Sequence, residues 1–153
     1  MKRSSSSILN KDLSEVIASM GHTEYLIVCD AGFPIPNDVR RVDLALTENV
    51  PDLTTVLSLI EKEFIAEKIY VAEDVLTNNK PLYHSIKQIY ENVEIDTFPH
   101  EKMLTEVSRQ AKAIVRTGSF EPWGNIVLQS GTDAAKWFNK EGVVVPDYYK
   151  DKL

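Results

Sequence analysis

Three short clusters carry side chains able to bind a ligand or move a proton. In Gly21-His22-Thr23 an imidazole lies between a helix end and a strand start. A histidine there complements the negative end of a helix dipole, or acts as a general acid, because imidazole titrates near neutral pH. Asp30, in Cys29-Asp30-Ala31-Gly32, closes an apolar run. Asp before Gly is common turn chemistry; it is equally a binding carboxylate, since ligands of open α/β sheets gather at the carboxyl ends of strands. The third cluster is Arg116-Thr117-Gly118 followed by Pro122-Trp123-Gly124-Asn125. It reads as a hairpin-like turn with a core tryptophan, or as a platform on which indole covers the C–H face of a sugar ring while the amide bonds hydroxyls. His100 follows Pro99 in the first turn of a helix, and His84 reads as solvated surface within another. There is no Cys/His metal spacing, nucleophile elbow, phosphate loop or dinucleotide fingerprint. The expectation is no metal and no cofactor, which leaves non-covalent acid–base chemistry or plain binding.

Regular elements must position these clusters. Leu9, Leu13, Val16, Ile17 and Met20 have helical spacing, and Gly21 stands where a helix C′ glycine would. The apolar run 25–29 suits a buried strand, and Pro34 and Pro36 break the chain after it. A second strand is expected over 42–46. Pro51 then stands near the first turn of a helix carrying Leu53, Val56, Leu57, Ile60 and Phe64 on one face. Strands are expected at 69–72, 93–97, 113–116 and 126–129. Helical spacing marks 81–91 and the segment after Pro99 that holds Met103, Leu104 and Val107. This alternation predicts one compact α/β domain with a mostly parallel sheet covered by helices. Past Gly131 the character changes, and 132–153 reads as a terminal arm whose Trp137 and Phe138 need a surface to cover them.

Composition narrows the classes. A chain of 153 residues, 43% hydrophobic and 26% charged, is a single globular domain able to bury a real core. A net charge of −6 without a basic stripe excludes nucleic acid as a partner. No stretch approaches the roughly 18 apolar residues of a membrane span, and MKRSSSSIL has no apolar core of a secretory signal. The single Cys29 reads as a small core residue in a reducing compartment. A cytoplasmic location is expected, with no membrane partner.

Four blocks then carry a resemblance. LNKDLSEVIASMGHTEYLIVCDAGFPIP resembles the opening of the D-ribose pyranases, the RbsD/FucU family of sugar ring-form isomerases and mutarotases. RVDLALTENVPDLTTVL, PHEKM and AIVRTGSFEPWGNIVLQSG are similar to the later blocks, in family order across residues 8–131. The resemblance implies an RbsD-like fold over 1–131 and a free monosaccharide, D-ribose above others, as substrate. It implies His22 as proton donor and Asp30 and His100 as sugar contacts, with Trp123, Gly124 and Asn125 lining the site. It also implies a ring-shaped homodecamer with sites between neighbouring subunits. Two departures stand out. Ribose-type enzymes carry Tyr-Ala-Asn where this chain has Trp123-Gly124-Asn125, and Tyr-Gly-Asn is the fucose-type form. Ribose-type chains also end soon after the last glycine, so 132–153 extends past the resemblance. The rival readings are an L-fucose-type mutarotase and a non-catalytic sugar-binding accessory of an uptake system.

Overall fold

The first strand of the chain lies near the middle of its sheet, and this decides where everything else falls. The computed structural model describes residues 8–153; the basic, serine-rich start with its expected lack of a signal core lies outside them. Helix α1 (Lys11–Ser19) is capped by Asn10, whose side chain accepts from the Leu13 amide, and it buries Leu13 and Val16. It leads into β1 (Tyr25–Cys29), then β2 (Arg40–Asp43), α2 (Leu53–Glu61), β3 (Ala66–Ala72), α3 (Glu73–Asn78), α4 (Lys80–Ile89) and β4 (Glu94–Phe98). A helical segment over 100–110, here α5, comes next, followed by β5 (Ala111–Arg116) and β6 (Ile126–Ser130). The middle of α5, Met103–Val107, is wound as a π-helix.

The six strands lie in the order β2-β5-β1-β6-β3-β4. All run parallel except β6, which is antiparallel to both β1 and β3. The central strands are nearly continuous Val/Ile/Leu runs because they are buried on both faces. Leu26, Ile27, Val28, Ile114, Ile126 and Leu128 are all fully buried. Helices supply the cover with Val16, Leu57, Ile60, Ile86 and Met103. The mostly parallel, helix-covered α/β sheet expected from the alternation is present.

Four details depart from the sequence reading. Gly21 does not take the left-handed cap position; Thr23 does, at φ 71°. The Gly21 amide is held by Glu24 Oε2 at 2.6 Å and the Thr23 amide by Ser130 O at 2.8 Å, so the chain reverses two residues later. β2 ends at Asp43 rather than Leu46, because the Asp43 carboxylate accepts from the Ala45 amide at 3.1 Å and turns the chain out of the sheet. α2 stops at Glu61, short of Phe64, while Pro51 stands just ahead of its cap, Asp52, near the first turn as expected. The segment between β5 and β6 is no hairpin, since β1 lies between those strands. The sequence reading also missed α3, a short helix that follows β3 directly.

Past β6 the arm forms a short helix, α6 (Ala134–Phe138), and a 3-10 turn at Asp147–Lys152. Phe138 packs against Tyr149 with ring centroids 5.2 Å apart, whereas Trp137 is 70% exposed. Within one chain, only half of the expected aromatic pair is covered.

Candidate active site

Parallel strands put the carboxyl ends of β1 to β5 on one edge of the sheet, and the antiparallel β6 brings its own start to that same edge. Asp30, His100 and Trp123-Gly124-Asn125 therefore meet there. The Asp30 amide donates to Asn125 Oδ1 at 3.1 Å, and the Asp30 carboxylate accepts from the Gly32 amide at 2.9 Å. Burial pushes the Asp30 carboxyl above its usual range, although hydrogen bonds from Gly32, Asn125 and Phe33 and the proximity of His100 pull the other way. Asn125 is 2% exposed. His100 begins α5 immediately after Pro99, and its Nδ1 is buried without a hydrogen-bond partner among the described residues. A buried ring nitrogen left unpaired is rare in folded proteins and calls for an explanation.

The loop after β5 braces this cluster. Thr117 donates to Cys29 O from both its amide and its hydroxyl, and the Ala31 amide donates to Ser119 O at 2.8 Å. Arg116 Nε donates to Ala31 O at 3.1 Å while its Nη1 bridges to Asp43. An open cleft of ≈ 590 Å³ lies over this floor, lined by Asp30, Gly32, Arg116, Ser119, Phe120 and Pro122. Its size suits a small ligand. Cys29 lies beneath, fully buried, with its thiol ionisation pushed well up by desolvation, so it is core rather than nucleophile.

Trp123 is partly buried and packed on the core, with a left-handed backbone at φ 55°. Gly124 follows where the loop is tight. A Cβ there would stand 2.9 Å from Glu121 O and 3.0 Å from Glu121 Cβ. A close approach within its own loop is a local reason for the glycine that does not involve the sugar.

His22 is elsewhere. It precedes β1, whereas Asp30 follows it, and a five-residue strand separates them by about 17 Å of rise. At this opposite edge the imidazole Nε2 is 2.9 Å from Glu67 Oε2. Glu67 Oε1 accepts from Gln129 Nε2 at 2.9 Å, and Oε2 also accepts from Lys152 Nζ of the arm at 3.1 Å. Burial tends to raise the Glu67 carboxyl, but His22, Lys152 and Gln129 outweigh it and hold it below the usual range. The Tyr149 ring lies 6.5 Å from that of His22. One chain thus gathers five of the six expected site residues and leaves His22 apart. His84 is exposed on α4, as its surroundings in sequence suggested. The sequence reading missed Glu67, Gln129 and Lys152; no local spacing links them to His22, because strand pairing and the arm bring them in.

An open α/β sheet with a cleft over a desolvated carboxylate at its carboxyl edge has the layout in which such folds hold small ligands. Residues 1–133 match the RbsD / FucU transport protein family. The chain belongs to that family. It is 57% identical over 152 residues to D-ribose pyranase 2 of Rubrobacter xylanophilus, covering 99% of this chain and 97% of that one. D-ribose pyranase 1 of Streptomyces griseus subsp. griseus is 52% identical over 153 residues, with both chains covered completely. Among solved structures, Bacillus subtilis RbsD complexed with D-ribose matches with a TM-score of 0.80 at 31% identity, covering 86% of this chain and 98% of that one. The arm past residue 131 is therefore shared with full-length relatives and has a counterpart the initial resemblance did not include.

Proposed function

We propose that this chain is an isomerase that interconverts the pyranose and furanose forms, and the anomers, of a free monosaccharide, with D-ribose first among candidates. The observation that carries the reading is the carboxyl-edge cluster: a desolvated Asp30 lining an open cleft, its amide bonded to the buried Asn125, and near it His100, whose buried Nδ1 has no hydrogen-bond partner among the described residues. The family and its relatives supply the substrate class, since the two full-length relatives are D-ribose pyranases and the Bacillus protein holds D-ribose.

In this reading Asp30, His100 and Asn125 bond sugar hydroxyls, Gly124 lets the loop close, and Trp123 gives apolar cover to one face of the ring. His22 is the proton donor. The imidazolium protonates the ring oxygen as the C1–O bond breaks, a base takes the anomeric hydroxyl proton, and the open aldehyde closes again on the same or another hydroxyl. Neither a metal nor a covalent intermediate is required. Positioned acid–base groups supply about 10²–10⁴-fold, or roughly 3–5 kcal/mol.

The separation of His22 from the cleft supports a homo-oligomer in which His22 of one copy serves the carboxyl edge of its neighbour, the decamer implied by the family being one such assembly. Residues 1–131 then form the isomerase domain, and the arm gains its cover in the assembly, where exposed Trp137, Val144 and Tyr148 await a surface. A buried, unpaired Cys29 agrees with a cytoplasmic location. Saturation-transfer NMR on ribose and fucose tests the proposal. A pyranase exchanges pyranose with furanose, a mutarotase exchanges anomers alone, and a binding protein accelerates neither. Absence of any acceleration overturns it.

A further inference from the structure

Glu67 occupies a place built for it. Pairing between β3 and β6 sets Ala66 opposite Ser130 and Lys68 opposite Gln129, so the register shifts at Glu67 itself. Such a bulge re-aims one side chain out of the regular alternation. The facing residue on the other strand's exit is Gly131, where an added Cβ would stand 2.9 Å from Glu67 Cβ and 3.3 Å from the Glu67 amide nitrogen. A glycine there leaves the space that Glu67 fills. Thr23, next to His22, is held in a left-handed conformation that a β-branched residue rarely adopts, and such strain persists where the surroundings over-determine it. A bulge on one strand and a strained turn on the other thus converge on a single contact, His22 Nε2 to Glu67 Oε2 at 2.9 Å.

We infer that Glu67 is the positioning residue of His22: its carboxylate fixes the Nε2–H tautomer and leaves Nδ1 as the atom that exchanges a proton with the sugar. The chemistry follows from the partners. An ionised carboxylate only accepts, so Nε2 must carry hydrogen in both states of the ring. The protonated ring offers Nδ1–H, gives that proton to the ring oxygen as the C1–O bond opens, and becomes neutral with Nε2–H still held by Glu67. Ring closure returns the proton to Nδ1. Gln129 on Oε1 and Lys152 on Oε2 fix the carboxylate in turn. The charged and titratable groups facing this pair are Glu67 from β3 and Lys152 and Tyr149 from the arm, with the Glu24–Lys112 ion pair beside the turn. The arm thereby becomes part of the site through Lys152.

The inference rests on His22 being the proton donor, and its test separates the two. In ¹⁵N-histidine-labelled full-length protein, the His22 Nε2–H, assigned by its loss in His22→Asn, is expected as an exchange-protected resonance that disappears in Glu67→Ala. This readout needs no turnover, so it holds or fails independently of the sugar chemistry. In the exchange assay, Glu67→Ala is expected to lower kcat about tenfold or more with KM changed less than about twofold, since a positioning group acts on the acid and not on ground-state binding. Glu67→Asp keeps the charge but shortens the reach, and is expected to recover little. Lys152→Met, at the exposed end of the arm, is expected to lower kcat by a smaller factor without loss of fold. An unprotected Nε2–H in the wild-type protein overturns the inference, as does a folded Glu67→Ala that keeps wild-type kcat. A wild-type protein that shows the protected proton but no sugar exchange overturns the functional reading and leaves the His22–Glu67 pairing standing.

Discussion

The two edges of the sheet hold carboxylates with opposite characters. At the carboxyl edge, desolvation wins and Asp30 is pushed upward, near a His100 nitrogen with no partner among the described residues. At the amino edge, three donors close on Glu67 and hold it downward against the same desolvation. One edge is left unfinished among the described residues; the other is a satisfied network of residues that fix one another. The contrast fits a division of labour, with the unfinished edge binding and the finished edge orienting an acid. Both edges use the same local device, a non-glycine residue in the left-handed region: Trp123 at φ 55° beside Asn125, and Thr23 at φ 71° beside His22.

If both edges serve one reaction, two copies of the chain must meet, and this gives the largest expected effect. His22→Ala is expected to lose about 10²-fold or more of the exchange rate, and Asp30→Asn to lose most sugar affinity, because an acceptor-only carboxylate becomes an amide with donor character. Co-assembly of the two variants in equal amounts is expected to restore about a quarter of the sites, those pairing an intact Asp30 edge with an intact His22 from its neighbour. Ring-exchange NMR on the mixed assembly measures this. A mixture no more active than its components places both edges in separate roles and breaks the comparison.

A smaller effect probes the unfinished edge alone. Gly124→Ala places a methyl against Glu121 O and Cβ, with Leu53 Cδ2 3.3 Å away, and backbone atoms cannot yield as a flexible side chain does. Overpacking of this kind costs about 1–3 kcal/mol, and the reduced melting temperature should be accompanied by weaker sugar binding as Asn125 moves. If the alanine variant is as stable as the wild type, the loop can relax, and position 124 again becomes open to a reading in terms of sugar preference.

Residue type and local spacing disclosed much of this molecule. Tyr25–Cys29 is apolar throughout because β1 is covered on both faces, and that also fixed Asp30 at a strand's carboxyl end. Leu13 and Val16 on α1, and Leu53, Val56, Leu57 and Ile60 on α2, are buried on the faces their spacing marked. What escaped depends on contacts distant in sequence. The side chains of Glu67 and His22 meet across 45 positions, and within its own segment Glu67 looks like any exposed strand residue. The bulge that aims it leaves no periodic trace. Thr23 rather than Gly21 takes the left-handed position because Glu24 and Ser130 hold the turn, and neither hold is visible from the Gly-His-Thr motif. The candidate residues could be named one by one from the sequence; their division between opposite edges of the sheet could not.

The last and smallest effect is thermodynamic, and it sets the two carboxylates against each other by sign. Asp30 ionises less readily folded than unfolded, so its charge weakens the fold as pH rises from the unfolded value near 3.8 to its raised folded value, and the cost stays constant above that. Glu67 is the reverse: its stabilisation is fully present above the unfolded value near 4.5 and is lost as pH falls through its lowered folded value. Asp30→Asn, which keeps an oxygen to accept from Gly32, should therefore gain stability relative to wild type at neutral pH and converge with it in acid. Glu67→Gln should lose stability at neutral pH and also converge in acid. Denaturant unfolding of the three proteins at neutral pH and below the carboxylate range reads the two differences. Opposite signs at neutral pH sharpen the contrast between an edge kept open for binding and an edge closed for orientation. Equal signs would mean that Asp30, too, is held by its neighbours as a structural charge, and the functional asymmetry of the sheet would then rest on His100 alone.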